Sequence, residues 1–454
     1  MRRLQFPGVA MVTVLAMMLI TRGVLADGGM EGMDDPRVEY HPINPGSKTF
    51  HWLMSVALLF LLPSISAAFL LADKQHWSLM FHFVLLGYSV FEWMFLPFAD
   101  NTDNHENKTS RGTSTFITLL LAANIFIGTF MNGSNWIMNR FFPSAAGSSL
   151  NNGNANSGVL CKVFKTLSVI IALTGWVRVC LAVVALFGFC YDKHTGQCIA
   201  HGIMGTAFVF YAMVLTIVLI IPWIRKRDTN RRSQEFYDSV VMCAWGIVNT
   251  FTEHRWGKEG WSMGDYQHTA MGIIWWAGAL VGVFLTRKKN NHRSLIPALL
   301  LIFTGWSMSQ HHQHSAISTN VHAFFGIALM SAGFTRVIEI CFILHDKNCD
   351  DSGKILAFQY MPPFFMTLSG ILFMAANEEQ LELALGLGSD HSAYILVGTA
   401  AAFVVFLWLL LMVNLYLRLV GFDEDGPFQP IAINGNEYNR VNDVQEFELE
   451  NMSD

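Results

Sequence analysis

The residues of this chain best equipped for chemistry are its 16 histidines, and they are unevenly placed. The stretch SMSQHHQHSAISTNVHAFFG, from Ser307 to Gly326, holds His311, His312 and His314 in one polar connection and His322 at the start of the next apolar run. Three segments share a His-x-x-x-Gly spacing: His201-GIM-Gly205, His268-TAM-Gly272 and His322-AFF-Gly326. Four residues make about one helical turn, so each glycine lies on the same helix face as its imidazole. The missing side chain admits either another helix or a flat ligand. The apolar runs that precede such openings end in polar groups: FTEH with Glu253 and His254, SQHHQH, and MAANEEQ with Glu378 and Glu379. The pattern reads as a helical hairpin used three times, its loop followed by Asp265/His268, Asn320/His322 or Asp390/His391.

Neutral imidazole ligates zinc, copper and haem iron, and neighbouring carboxylates ligate or orient it. The two best-matched hairpins give His254, His268, His312 and His322 as the expected ligand set. His201, His311 and His314 are second choices, and Glu253, Asp265, Gly272 and Gly326 are supporting residues. Three chemistries suit this set. One is a haem or transition-metal site on the lumenal face, serving redox chemistry. Another is an intramembrane zinc hydrolase with Glu253 as base for an activated water. The third is a non-enzymatic transporter or scaffold whose histidines, titrating near a pKa of ~6.5, sense lumenal pH.

Apolar helices must hold these groups. Hydrophobic residues make up 52% of the 454-residue chain and charged residues 14%, in repeated runs near the length that crosses a bilayer. A hydrocarbon core of ~30 Å needs about 20 helical residues. The expected fold class is therefore all-α, a polytopic transmembrane helical bundle. MRRLQF, an apolar run and Val24-Leu25-Ala26 read as a signal peptide over 1–26. Eleven spans follow, near 50–72, 78–99, 115–132, 166–189, 201–223, 237–254, 265–286, 294–310, 320–344, 355–376 and 392–417. They divide into a three-span region (27–132), a Ser/Asn/Gly-rich cytosolic loop (133–165), an eight-span core (166–418) and an acidic cytosolic tail (419–454). The net charge of -5 argues against a nucleic-acid partner; the partner expected is the lipid bilayer, and the acidic tail reads as a plain solvated tail, with a sorting role or a cytosolic partner as the alternative.

Cleavage puts the mature N-terminus in the lumen and the C-terminus in the cytosol. The cytosolic connections then hold 17 of the 29 Lys and Arg and the outside segments seven, as the positive-inside rule requires. Cys190 and Cys198 flank an outside loop and form an expected disulfide, and Asn107-Lys108-Thr109 is an expected lumenal glycosylation site. Twelve of the 16 histidines fall on this outside face. The membrane expected is that of the secretory pathway, the vacuole or the cell surface. Glu92, Arg178, Arg336 and Glu339 lie inside apolar spans, and Arg336 and Glu339 stand at i, i+3, the spacing of a same-face ion pair.

The stretch GIVNTFTEHRWGKEGWSMGDYQHTAMGIIWWAGALVG and the later GWSMSQHHQHSAISTNVHAFFGIALMSAGFTRVIEI resemble the YTP-one-like family of multispan membrane proteins, known mainly from fungi. The resemblance is strongest from His201 to Phe342. The Glu-His, loop, Asp-x-x-His layout also looks distantly like the transmembrane protein 45 family. The first family is described as similar to ascorbate-reducible di-haem cytochromes b, which implies electron transfer. The residues themselves supply ligands at one lumenal depth; the cytosolic half has only His82 within a span.

Overall fold

The computed structural model describes residues 45–99, 105–141, 155–187, 190, 195–225, 232–252, 254, 260–288, 293–310, 315–347 and 354–422. Among them the chain is all-helical, with no strand. The expected signal peptide, the centre of the expected loop (142–154), the tail from 423, Glu253, His311, His312 and His314 lie outside the described residues. Helices reach Phe141 and resume at Ala155, so both flanks of the 133–165 connection are helical rather than irregular.

Among the described residues twelve main helices form the fold, besides the short turns Pro222–Arg225 and Ala357–Tyr360. Helix α1 is one rod over Pro45–Met54, the π-helical stretch Ser55–Leu61 and Leu62–Leu71. It is followed by α2 (Gln75–Ala99), α3 (His105–Phe141) and α4 (Ala155–Phe187). Then come α5 (Thr195–Ile220), α6 (Gln234–Thr252), α7 (Met263–Thr286), α8 (Ile296–Ser309) and α9 (Ala316–Ile338), the last extended by a π turn, Glu339–Ile343. The chain closes with α10 (Met361–Met374), the short α11 (Glu378–Gly386) and α12 (His391–Leu419). Every expected span has a helix. Among the described residues eight helices are long and apolar enough to cross a membrane, while α8 and α10 have 14 residues each and α6 carries Glu235 and Asp238.

The helices start where their first N–H groups are satisfied or absent. Ser262 and Asp265 form a reciprocal capping box at α7, Ser315 caps α9, and Asp390 caps α12 by accepting from Ala393 N at 2.8 Å. Prolines open α8 and α10, where the missing donor is harmless. Many buried hydroxyls within the helices return to the carbonyl one turn back, as Thr216, Thr250, Thr286 and Thr304 do, whereas the buried hydroxyls of Ser114 and Thr269 have no hydrogen-bond partner among the described residues.

Helices α1–α4 pack together around Leu85, Ile117, Leu121 and Ile171. The larger core, with Phe208, Trp275, Leu329 and Met366, lies among α5–α10. Here the three His-x-x-x-Gly helices find their partners. Helix α7 lies on α6 and α9 on α8, each pair a hairpin as the sequence pattern implies. The third hairpin differs: α5 lies against α10, more than 140 residues away in sequence, and α12 takes the other side of α10. The expected α10–α12 packing is present, and α10 also faces α5, so there are three glycine-contact pairs, the third joined from the two ends of the core.

Candidate functional site

Each pair meets through two glycines, and each glycine is the residue under a histidine or its counterpart. A Cβ on Gly205 would stand 2.5 Å from the Gly370 carbonyl oxygen, and one on Gly370 2.6 Å from that of Gly205. A Cβ on Gly246 would stand 2.8 Å from Gly272 O, and one on Gly305 2.5 Å from Gly326 O. The glycine under each imidazole thus admits a neighbouring helix backbone, the first of the two uses its spacing allows. Seven residues further on, α5, α7 and α9 each bury a small residue, Ala212, Ala279 and Gly333. The facing helices carry Pro363, Ser239 and Ala298 seven residues before their contact glycines, all three buried.

Because the pairs share this register, their histidine ends come together. The rings of His201 and His322 have centroids 5.9 Å apart. His268 lies within electrostatic reach of both, and Glu378 within reach of His322. His322 is 2% exposed and donates from Nδ1 to the Ser318 carbonyl at 2.8 Å, which leaves Nε2 with its lone pair. The Asn249 amide donates to the His268 carbonyl at 2.9 Å and ties that turn to α6. The ring of Phe373 packs 4.7 Å from those of both His201 and Phe325.

The other expected ligands take different places. His254 stacks on Trp261 at 4.1 Å and stands 3.4 Å from Asp265 Oδ2, so this pair steadies the α6–α7 connection. His201, a second choice from sequence, lies inside the cluster. The signal for that was available, since it shares the His-x-x-x-Gly spacing; what the sequence concealed was the partner, α10. Gly272 and Gly326 serve as helix contacts. Cys190 and Cys198 are disulfide-bonded, and the Cys190 N–H donates to Glu379, fastening the start of α5 beside the histidine end. Asn107 falls in the first turn of α3, and its side chain lies outside the described residues. At α12, the hydrogen bond from Ala393 N holds the Asp390 carboxyl below its ordinary range.

Carbonyls of facing helices fill the space over the glycines, and Phe373 packs against His201. Among the described residues no group of three or more His, Cys, Asp or Glu side chains is arranged to hold a metal ion.

The buried charges outside the cluster are paired. Arg178 bonds Glu92 at 2.8 Å, with Ser55 donating to the same carboxylate oxygen at 3.2 Å. Arg336 bonds Glu339 at 2.6 Å, as the i, i+3 spacing implies, and also Glu235 at 3.0 Å, which Arg293 shares at 2.8 Å.

The profile of the family described as "Protein YTP1-like, C-terminal" matches residues 174–417, the part of the chain that forms the three pairs and α12. The chain is 47% identical to Protein YTP1 of Saccharomyces cerevisiae over 435 residues, covering 94% of this chain and 91% of the relative. It is 25% identical to an uncharacterised membrane protein of Schizosaccharomyces pombe over 45% of this chain and 48% of that one. A second uncharacterised membrane protein of S. cerevisiae is 24% identical over 33% of this chain and 27% of that one. No solved structure matches. A buried, glycine-paired helical core over the matched residues, together with near-full-length identity to a named member, makes this chain a multi-pass membrane protein of the YTP1-like family.

Proposed function

We propose that this protein binds one transition-metal ion, zinc or copper, at the histidine end of its three helix pairs. His201, His268 and His322 are the ligands, and Glu378 is the neighbouring carboxylate. The observation that carries the reading is the pairing of the His201 and His322 rings, whose 5.9 Å centroid distance is near the roughly 5–6 Å of two imidazoles on one ion with metal–nitrogen bonds of about 2.0–2.1 Å, with His268 in electrostatic reach of both. His322 also has the supporting hydrogen bond, Nδ1–H to a backbone carbonyl, that fixes the tautomer of metal-bound imidazoles. In the orientation given by the basic residues, this end faces the lumen, so the ion comes from outside the cytosol.

The test titrates the full-length protein, purified in detergent and freed of metal, with Zn2+ and with Cu2+. One ion per chain is expected. His201→Ala, His268→Ala and His322→Ala should each weaken binding at least tenfold, and His82→Ala, near the other end of α2, should leave it unchanged. A wild-type protein that takes up neither ion beyond the level of the triple alanine variant ends this reading. Loss of binding in His254→Ala but not in His201→Ala would transfer the site to the α6–α7 connection.

A further inference from the structure

Helices α1–α4 bury polar side chains at two depths. In the first set His51 and Ser55 lie one turn apart on α1, and Tyr88 and Glu92 one turn apart on α2. All four are buried. Ser55 donates to Glu92 Oε1 at 3.2 Å, and Arg178 of α4 donates to the same oxygen at 2.8 Å. Tyr88 stands beside Ser55, and His51 lies within electrostatic reach of Glu92 and Arg178. The second set, nearer the α1–α2 turn, is Ser66, Ser78 and His82, again all buried. Ser66 Oγ stands 2.8 Å from Ser78 Oγ and 3.4 Å from His82 Nε2. The ring of Phe164 on α4 packs edge-on at 5.9 Å from that of His82.

Three buried atoms of these sets have no hydrogen-bond partner among the described residues: His51 Nδ1, Glu92 Oε2 and His82 Nδ1. An exchangeable proton, held by a residue or carried by a water, gives such atoms the partner they lack. Imidazole suits the task, since it takes a proton at one ring nitrogen and gives one up at the other. Between the two sets lies an apolar layer of Leu85, Ile117, Leu121 and Ile171. On α2 the layer separates Tyr88 from His82, six residues or about 9 Å along the axis. The π-helical stretch Ser55–Leu61 of α1 begins in the first set and ends just before Leu62, which packs on this layer. Within it, the Leu59 carbonyl sits where a Cβ on Gly175 of α4 would collide. Such π turns within α-helices are frequent at functional sites.

We infer that α1–α4 form a proton pathway through the membrane, with His51 and Glu92 as its entry, His82 as its exit and the Leu85 layer as the barrier between them. Chains of His, Asp or Glu inside a bilayer mark proton relays. In the orientation expected from charge, His51 takes a proton from the lumenal side. Glu92 Oε2 then accepts it, an O–H bond forming as the N–H bond breaks. The Ser55 and Tyr88 hydroxyls pass it inward, each gaining one proton and releasing another. Beyond the layer His82 accepts at Nδ1 and releases from Nε2 to Ser66 and Ser78. No electrons move, and one proton crosses per passage. The other ionisable groups along this route are Arg178 beside Glu92, and, at the cytosolic edge, the Lys165–Asp73 pair at 2.5 Å, Cys161 against Gln75, and Tyr416 of α12 within reach of Asp73. The pathway uses no residue of the histidine end, so it is independent of the metal reading.

The experiment reconstitutes the full-length protein in phosphatidylcholine vesicles that hold pyranine, a fluorescent pH indicator, with valinomycin and potassium clamping the membrane potential. After a step in the outside pH, the inside pH should follow faster than in protein-free vesicles. His51→Phe and His82→Phe keep a buried ring that carries no proton, and each should slow the change about tenfold or more. Leu85→Ser puts a hydroxyl into the barrier and should speed it. His201→Ala should behave as wild type. The inference is overturned if wild type is no faster than protein-free vesicles, or if both phenylalanine variants are as fast as wild type. Escape of trapped sulforhodamine along with the protons is vesicle leak and overturns it too. A Leu85→Ser rate equal to wild type overturns the assignment of the barrier. Should the variants not fold, as read by tryptophan fluorescence, the wild-type against protein-free comparison with its sulforhodamine control decides it alone.

Discussion

Replacing Gly305 by alanine tests whether the glycine pairs set the spacing of the core. The new Cβ would lie 2.5 Å from Gly326 O, 2.7 Å from Met330 N and 2.8 Å from Met330 Cγ. Ordinary contact begins at 3.4 Å, so α8 and α9 must separate by 3.4 − 2.5 = 0.9 Å at this point. Two of the three obstacles are backbone atoms that cannot swing away. Overpacking of this kind costs about 1–3 kcal/mol. Alanine also gains about 1 kcal/mol of helix propensity over glycine, which obscures the loss. Gly202 supplies the control, since it lies in α5 with nothing within 4 Å of its virtual Cβ. The difference between Gly305→Ala and Gly202→Ala cancels the propensity and leaves the packing term, a factor of roughly 5 to 150 in the unfolding equilibrium constant. Denaturant titration of the purified variants, followed by tryptophan fluorescence, measures it. The double variant Gly305→Ala/Gly326→Ala should lose less than the sum of the singles, because one separation of the helices relieves both clashes. If Gly305→Ala is as stable as Gly202→Ala, the pairs do not hold α8 and α9 at this distance, and the convergence of the histidines loses its structural basis.

Two further outcomes follow from the buried charges and the disulfide. Arg178→Leu leaves Glu92, which is 0% exposed, without its guanidinium and should destabilise the protein by about 3–5 kcal/mol. Arg178→Leu with Glu92→Leu should recover most of that in the same denaturant titration; an equally unstable double variant would mean that the lost packing, not the stranded charge, is responsible. Cys190→Ser opens a loop closed by residues eight apart and should lose about 2.5 kcal/mol by the chain-entropy relation. Thiol alkylation with and without reduction should show two more reactive thiols after reduction, and an unchanged count refutes the bond.

The helices were readable because lipid imposes a simple rule, that roughly twenty apolar residues make a span, and every expected span has a helix here. The shorter α8 and α10 begin at Pro297 and at Pro362-Pro363, whose effect on length is local and was spread across the apolar run in the hydropathy reading. Arg336 and Glu339 could be paired from sequence because four residues of one helix contain both. Glu92 and Arg178 could not, since 86 residues separate them and only the packing of α2 and α4 against α1 brings them together. The same limit applied to the histidines. His268 and His322 follow their partner helices after connections of ten and six residues, so their hairpins were legible. His201 opens a helix whose partner, α10, comes last in the core, and no local spacing encodes that contact.

That non-local contact explains why the repeat occurs three times and yet looks incomplete in sequence. Read in pairs, the core is α6–α7, α8–α9 and α10–α5, each with a first helix ending at the cluster and a second beginning there with His-x-x-x-Gly. The chain enters this set in the middle of the third pair, through α5, and leaves by α10. A hairpin can satisfy its glycine contact as soon as its two helices are made, but α5 exposes Gly205 until Gly370 is in place. The Cys190–Cys198 bond and the Cys190 N–H to Glu379 hydrogen bond join the start of α5 to the segment just after α10, the two pieces that no hairpin loop connects. The covalent and polar fastening at the histidine end thus stands where the third pair lacks a loop, and it holds His201 beside His322 in place of the chain connectivity that positions His268 and His322.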